Sequence, residues 1–217
     1  SKYFGTLPPR AGIQKVQRSE PIFPAGQSLN VNVDTEIPNG LVVVSYPTED
    51  IWDIHRTRRL AVLSDIFTER MRVQIRDKLG EAYSPIAYNK AFRAYNGYGI
   101  FHVIVEVEPA KSDLVVSEIN NIAMDMSQNG VTSDEVHRSL KPTLNSIKDM
   151  RQRNEYWLKT VLSGSKKHPQ QIEWSRGIAE DYASITPEDI EELAKVYLQN
   201  DRAAVVVAIP KSGVSIK

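Results

Sequence analysis

Apolar and polar positions along the chain change period several times, and each change marks an element. The segment NVNVDTEIPNGLVVVSYP alternates and then runs continuously in β-branched residues, predicting a strand centred on Leu41 to Ser45. From about Asp50 the period lengthens. Leu60, Leu63, Phe67, Met71, Ile75 and Leu79 recur at steps of three and four, one face of a long helix. Gly80 follows as its C-terminal cap, since glycine enters the left-handed region cheaply. Beyond it, SPIAYNKAFRAY and GYGIFHVIVEVEP flank Asn96-Gly97, a strong hairpin signal. In the second of these strands Phe101, Val103, Val105 and Val107 share one face. Ile100, His102, Ile104 and Glu106 share the other.

Helical signals resume at Ser112-Asp113 and stop at Gly130. Thr132-x-x-Glu135 then reads as a capping box, with Val131 and Val136 placed as a hydrophobic staple. Val136, Leu140, Leu144 and Ile147 form the stripe of this helix, and Pro142 is expected to kink it by removing a backbone donor. Two more helices are expected, near Gln170–Tyr182 and over Pro187–Leu198. The last is announced by Thr186 as N-cap and Pro187 in the first turn. Ala203 to Ile209 closes the pattern as a buried strand. Strand, long helix, hairpin, helices and strand in that order predict an α+β fold: a mainly antiparallel sheet with helices chiefly on one face. Residues 1–30, rich in Pro and Gly and without sustained periodicity, read as a linker or tail. Residues 31–217 read as a single domain.

Composition narrows the function classes. Lys+Arg and Asp+Glu both number 27, so no net field favours nucleic acid or an anionic membrane. No run approaches the roughly 18 apolar residues of a membrane span. Cysteine is absent, which removes disulfides, thiolate metal sites and cysteine nucleophiles together. The same absence is consistent with an extracytoplasmic location such as the bacterial periplasm.

Candidate chemistry is sparse. His55, His102, His137 and His168 are scattered without i,i+3 or i,i+4 partners, and neither H-E-x-x-H nor H-x-x-E-H occurs. No metal site is therefore assigned to this chain, and His102 reads as a half-buried packing residue. There is no G-x-S-x-G elbow and no glycine-rich phosphate loop. The basic run His55-Arg56-Thr57-Arg58-Arg59 reads as a solvated helix face, with partner contact the alternative. That leaves Arg76 and Tyr83, on either side of Gly80. One reading is an exposed arginine and a packing tyrosine. In the other, the reversal at Gly80 brings a guanidinium fork and a phenol together, two donors suited to a carbonyl or an oxyanion.

The segment Arg76 to Ser84, R-D-K-L-G-E-A-Y-S, resembles the motif in the C-terminal half of pitrilysin-type zinc peptidases, the inverted-motif family that includes insulysin. Tyr3-Phe4-Gly5-Thr6-Leu7-Pro8 resembles the end of the preceding domain in these proteins. The resemblance implies two homologous halves closing like a clamshell around a peptide. The N-terminal half would carry H-x-x-E-H, bind zinc and supply the general base. The C-terminal half would supply an arginine and a tyrosine that grip the substrate. On that resemblance this chain is the C-terminal domain of a zinc endopeptidase. Arg76 and Tyr83 are its substrate-binding and catalytic residues, its partners are the N-terminal half and a peptide, and zinc is a cofactor of the complete enzyme only. Alone, the chain is expected to be inert. A non-catalytic scaffold of the same fold, like the core subunits of respiratory complexes, is the alternative.

Overall fold

The alternating segments come together in a computed structural model that describes residues 12, 19–79 and 84–211, the side chains of 76–79 apart. Among these residues five strands form one sheet: β1 (Ser28–Val33), β2 (Gly40–Thr48), β3 (Ile86–Ala91), β4 (Gly99–Val107) and β5 (Ala204–Pro210). Their spatial order is β1-β5-β2-β4-β3. Three of the four pairings are antiparallel, and β1 runs parallel to β5, so the sheet is mixed. β1 begins at Ser28, inside the stretch read as a tail.

Among the described residues six α-helices accompany the sheet: α1 (Ile54–Leu79), α2 (Ser112–Asn129), α3 (Ser133–Arg151), α4 (Gln170–Arg176), α5 (Ile178–Ala183) and α6 (Pro187–Tyr197). The register places Val42 opposite Val105, Val44 opposite Val103 and Tyr46 opposite Phe101, all fully buried beneath the helices. The stripe of α1 meets them, with Leu60, Leu63, Phe67, Met71 and Ile75 at most 1% exposed. Phe67 packs edge-on against Phe101 at 5.8 Å between ring centroids, and Phe101 against Tyr46 at 6.3 Å. Each such side chain contributes about 1.5–3 kcal/mol of burial. The helices thus gather on one face of the sheet, as the order of elements predicts.

Two local expectations change, and one further element is new. The β3–β4 hairpin forms, but its connection is residues 92–98 rather than a two-residue turn. Gly97 alone takes a positive φ, 65°, and its N–H donates to the Asp50 carboxylate at 2.6 Å. The rings of Phe92, Tyr95 and Tyr98 pack on one another at 5.4–6.2 Å, and this small cluster replaces a tight turn. The helix expected over Gln170–Tyr182 is two short ones meeting at Gly177, a residue with poor helix propensity. A π-helix at Tyr156–Leu162 has no counterpart in the sequence reading. Helix α3, for its part, continues through the exposed Pro142 to Arg151.

The capping box at Thr132 forms as predicted and is part of a larger junction. Glu135 N–H donates to the Thr132 hydroxyl, and Thr132 N–H donates back to the Glu135 carboxylate. Arg70 on α1 adds two donors to the same carboxylate, at 2.7 and 3.1 Å. Its remaining N–H groups reach Asp125 at 2.7 Å and the Gly130 carbonyl at 3.0 Å, so one guanidinium ties α1 to the end of α2 and the start of α3. Burial pushes the Glu135 carboxyl up, but the hydrogen bonds from Arg70 and Thr132 outweigh it and hold the group at about 2. A depressed carboxylate stabilises the fold fully above its unfolded value of 4.5 and loses that contribution as pH falls towards 2. Arg70→Ala is expected to lower stability at pH 7 by about 1.5–3 kcal/mol in denaturant titrations, because the Glu135 carboxylate then keeps only its Thr132 donors. The gap between wild type and variant should narrow as pH drops from 4.5 to 2. A gap constant over that window would show that Arg70 acts through packing instead.

Candidate functional site

Arg76 occupies the last turn of α1, one helical turn beyond Arg72. Its side chain lies outside the described residues, as do Gly80, Glu81, Ala82 and Tyr83 in full. The predicted cap at Gly80 and the predicted pairing of Arg76 with Tyr83 therefore fall outside the described residues. What is fixed is the two flanks. Pro85 is buried, and β3 then runs back alongside α1, where Ala87 N–H donates to the Thr68 hydroxyl at 2.8 Å. Thr68 in turn donates to the carbonyl of Ser64, a bond that is local to the helix and holds the hydroxyl in position. The helix that carries Arg76 and the strand that follows Tyr83 are joined in this way.

Beside the same stretch of α1 is a groove of about 420 Å³ between α1 and α3, lined by Asp65, Thr68, Arg72, Arg138 and Ser139 among others. Burial raises the Asp65 carboxyl against a lowering hydrogen bond from the Ser139 hydroxyl at 3.3 Å. Arg72 and Arg138 are held by Glu69 and Asp134 on their own helices. The lining contains a serine and a carboxylate but no histidine, so it offers no relay for a nucleophile.

The basic run departs from the sequence reading. It is not a solvated face: Arg58 is 6% exposed, and its guanidinium donates to the Asp181 carboxylate at 2.6 Å and to the Trp174 carbonyl at 2.5 Å. His55 and Arg59 reach the other oxygen of Asp181 at 2.5 and 3.3 Å. Burial raises the Asp181 carboxyl, but Arg58 and His55 outweigh it and bring the group below its usual range. Arg56 turns the other way, to Glu49 at 2.5 Å and the Asp50 carbonyl at 3.0 Å. The first turn of α1 contains no acidic residue of its own, so these carboxylates supply what the helix dipole lacks. Nothing in the sequence pattern marks Asp181 as their shared partner. These cations are spent on the fold and leave little for a ligand.

His102 is half-buried, as expected, but it is not alone. Its Nδ1 lies 2.9 Å from the Ser45 hydroxyl and its ring 5.2 Å from that of Tyr88. Burial and the nearby Lys90 charge lower its pKa, which keeps the imidazole neutral at pH 7. Among the described residues no group of three or more His, Cys, Asp or Glu could hold a metal ion. Nor, among them, is any helix long and apolar enough to cross a membrane.

Comparison with known proteins supplies what the described side chains do not. A chain from Helicobacter pylori, described as a protease, superposes with a TM-score of 0.78 over 96% of this chain and 50% of its own, at 14% identity. A peptidase M16 inactive domain from Pseudomonas fluorescens gives 0.74 over 94% of this chain and 48% of its own, at 13% identity. A chain of complex III2 from Candida albicans gives 0.66 over 89% and 49%, at 12% identity. This chain thus spans about half the length of each. No curated protein matches it. The family model described as "Peptidase M16 inactive domain" matches residues 1–142, the stretch that includes the Arg76–Ser84 motif and most of the sheet. On that match, the chain belongs to the peptidase M16 inactive-domain family.

Proposed function

We propose that this chain is the substrate-gripping C-terminal domain of a zinc-dependent endopeptidase, joined to its neighbour through the residues that precede β1. The observation that carries the reading is the family match over residues 1–142, which takes in both Arg76 and Tyr83. The described residues of this chain do not fit a zinc ion, so metal and general base are assigned to the N-terminal half. The roles left to this chain are those of hydrogen-bond donors. Arg76 holds a peptide carbonyl oxygen with its planar fork, and Tyr83 donates its hydroxyl to the oxygen on which negative charge develops. A donor placed at that oxygen is worth about 2.7–4 kcal/mol in the transition state. The return of β3 along α1 through Ala87 and Thr68 supports the pairing, since it brings the two flanks of the motif to one side of the molecule.

A non-catalytic scaffold is the second reading, favoured by the likeness to a complex III2 chain. An H-x-x-E-H helix encoded in the other half selects the peptidase, and a degenerate version selects the scaffold.

With the zinc-bearing half present, Tyr83→Phe is expected to lower kcat by about 10²–10³ while leaving thermal unfolding unchanged, because one hydroxyl is lost. Arg76→Ala is expected to raise KM as well, since its fork also binds the ground state. Unchanged kcat/KM in both variants would remove the pair from the site. The chain by itself is expected to retain no stoichiometric zinc after dialysis and to leave a quenched peptide uncut. Elemental analysis showing one zinc per chain would overturn the assignment of the metal to the other half.

A further inference from the structure

Along α1 every arginine from Arg56 to Arg72 has a carboxylate partner. The segment from Lys148 to His168 is built differently. It holds six of the chain's 27 basic residues and two of its 27 acidic ones, so the rest of this neutral chain is net negative. Arg153, Lys166 and Lys167 are exposed there and form no ion pair among the described residues. Between these cations lies the π-helix Tyr156–Leu162. Its wide turn closes where the Ser163 N–H donates to the Leu158 carbonyl, five residues back, at 3.1 Å. Tyr156 and Val161, one such turn apart, are its buried pair. Leu158 and Leu162 lie on the outside, 63% and 52% exposed. The half-buried Trp157 donates its indole N–H to the Arg151 carbonyl at 2.8 Å, which ties the turn to the end of α3. The Ser165 N–H donates to the Leu162 carbonyl at 3.1 Å, so the turn carrying Lys166 and Lys167 follows the leucines directly. A single exposed leucine is ordinary, but two within one turn, set among unpaired cations, mark a contact surface.

We propose that this lobe docks on an anionic lipid bilayer, with its lysines and arginine on the headgroup phosphates and Leu158 and Leu162 in the layer beneath. The proposal is independent of the peptidase reading. Charge complementarity selects the occupant. A bilayer presents negative charge at its surface and apolar material immediately below, the two features that the lobe displays side by side. A nucleic acid offers phosphates to the cations, but its backbone has no apolar layer to take up two leucines. A second copy would set the same cations against one another across a two-fold axis. The chain has no net charge, so the attraction is local to the lobe. The net negative remainder is repelled by the same leaflet, which gives the bound chain one orientation. The lobe is also held ready for contact, since Tyr156 and Val161 anchor it from within and no part of it has to fold on binding. Binding of this kind is reversible, because two leucines and a few cations fall far short of an inserted helix.

Co-sedimentation of the chain with vesicles tests this, using phosphatidylcholine alone or with about one-third phosphatidylglycerol. Partitioning onto the anionic vesicles is expected to exceed that onto the neutral ones by on the order of a hundredfold, from about fivefold for each of three unpaired cations. Raising the salt from about 0.1 M to about 1 M shortens the screening length from about 10 Å to about 3 Å and is expected to abolish that preference. Lys166→Glu/Lys167→Glu is expected to weaken anionic binding at least tenfold. Leu158→Ser/Leu162→Ser is expected to weaken it at least fivefold while keeping the preference for anionic lipid. Arg202→Glu/Lys211→Glu, the same charge change at exposed positions elsewhere, is expected to stay within twofold of wild type. All six positions are exposed, so thermal unfolding of each variant is expected to match wild type. Wild-type binding that is absent, or equal on both vesicles, overturns the proposal. An equal loss in Arg202→Glu/Lys211→Glu and Lys166→Glu/Lys167→Glu also overturns it, by making the attraction one of whole-chain charge. Anionic binding undiminished in Leu158→Ser/Leu162→Ser removes the bilayer and assigns the cations to a soluble polyanion or an acidic protein.

Discussion

Arg58 and Arg70 both project from α1, with 7% and 15% of their side chains exposed, and each needs a carboxylate that α1 does not place beside it. Asp181 arrives for the first from α5 and Glu135 for the second from α3. Leaving either cation unpaired at that burial would cost several kcal/mol, so the helices that bring the carboxylates are fixed where they are needed. The apolar stripe of α1 decides that it lies on the sheet. The two ion pairs decide how α2, α3 and α5 are arranged around it. Hydrophobic burial supplies most of the energy here, and the charged pairs supply the position.

That arrangement leaves the two ends of α1 with different tasks. Its N-terminal turn is enclosed by Asp181, Glu49 and Asp50, and its basic residues are consumed there. Its C-terminal turn carries Arg76, and β3 returns beside the helix through the Thr68–Ala87 bond. A helix anchored at its far end suits the substrate-gripping role proposed for Arg76, since precision in such a site comes from the supporting element. The sheet shows a similar division. One face is filled by helices, while the other carries an apolar row with a serine–histidine pair beside it.

Much of the fold is legible in the sequence because it depends on local chemistry. The periodicity of Leu60 to Ile75, the alternation of Phe101 to Val107, the capping box at Thr132 and the N-cap at Thr186 each rest on residues within one or two turns of one another. The motif Arg76 to Ser84 is legible in the same way, as a short string. What the sequence alone could not determine depends on separation along the chain. The Arg58–Asp181 pair joins positions 123 residues apart, and no periodicity marks the aspartate. The parallel placement of β1 beside β5 is decided by where the last strand finds a free edge, and the long β3–β4 connection by three aromatic rings that prefer one another to a tight turn. The apolar row is the clearest case. Leu29, Val206, Val43, Ile104 and Ile86 are ordinary strand residues in five separate segments, and only the register of the folded sheet makes them one surface.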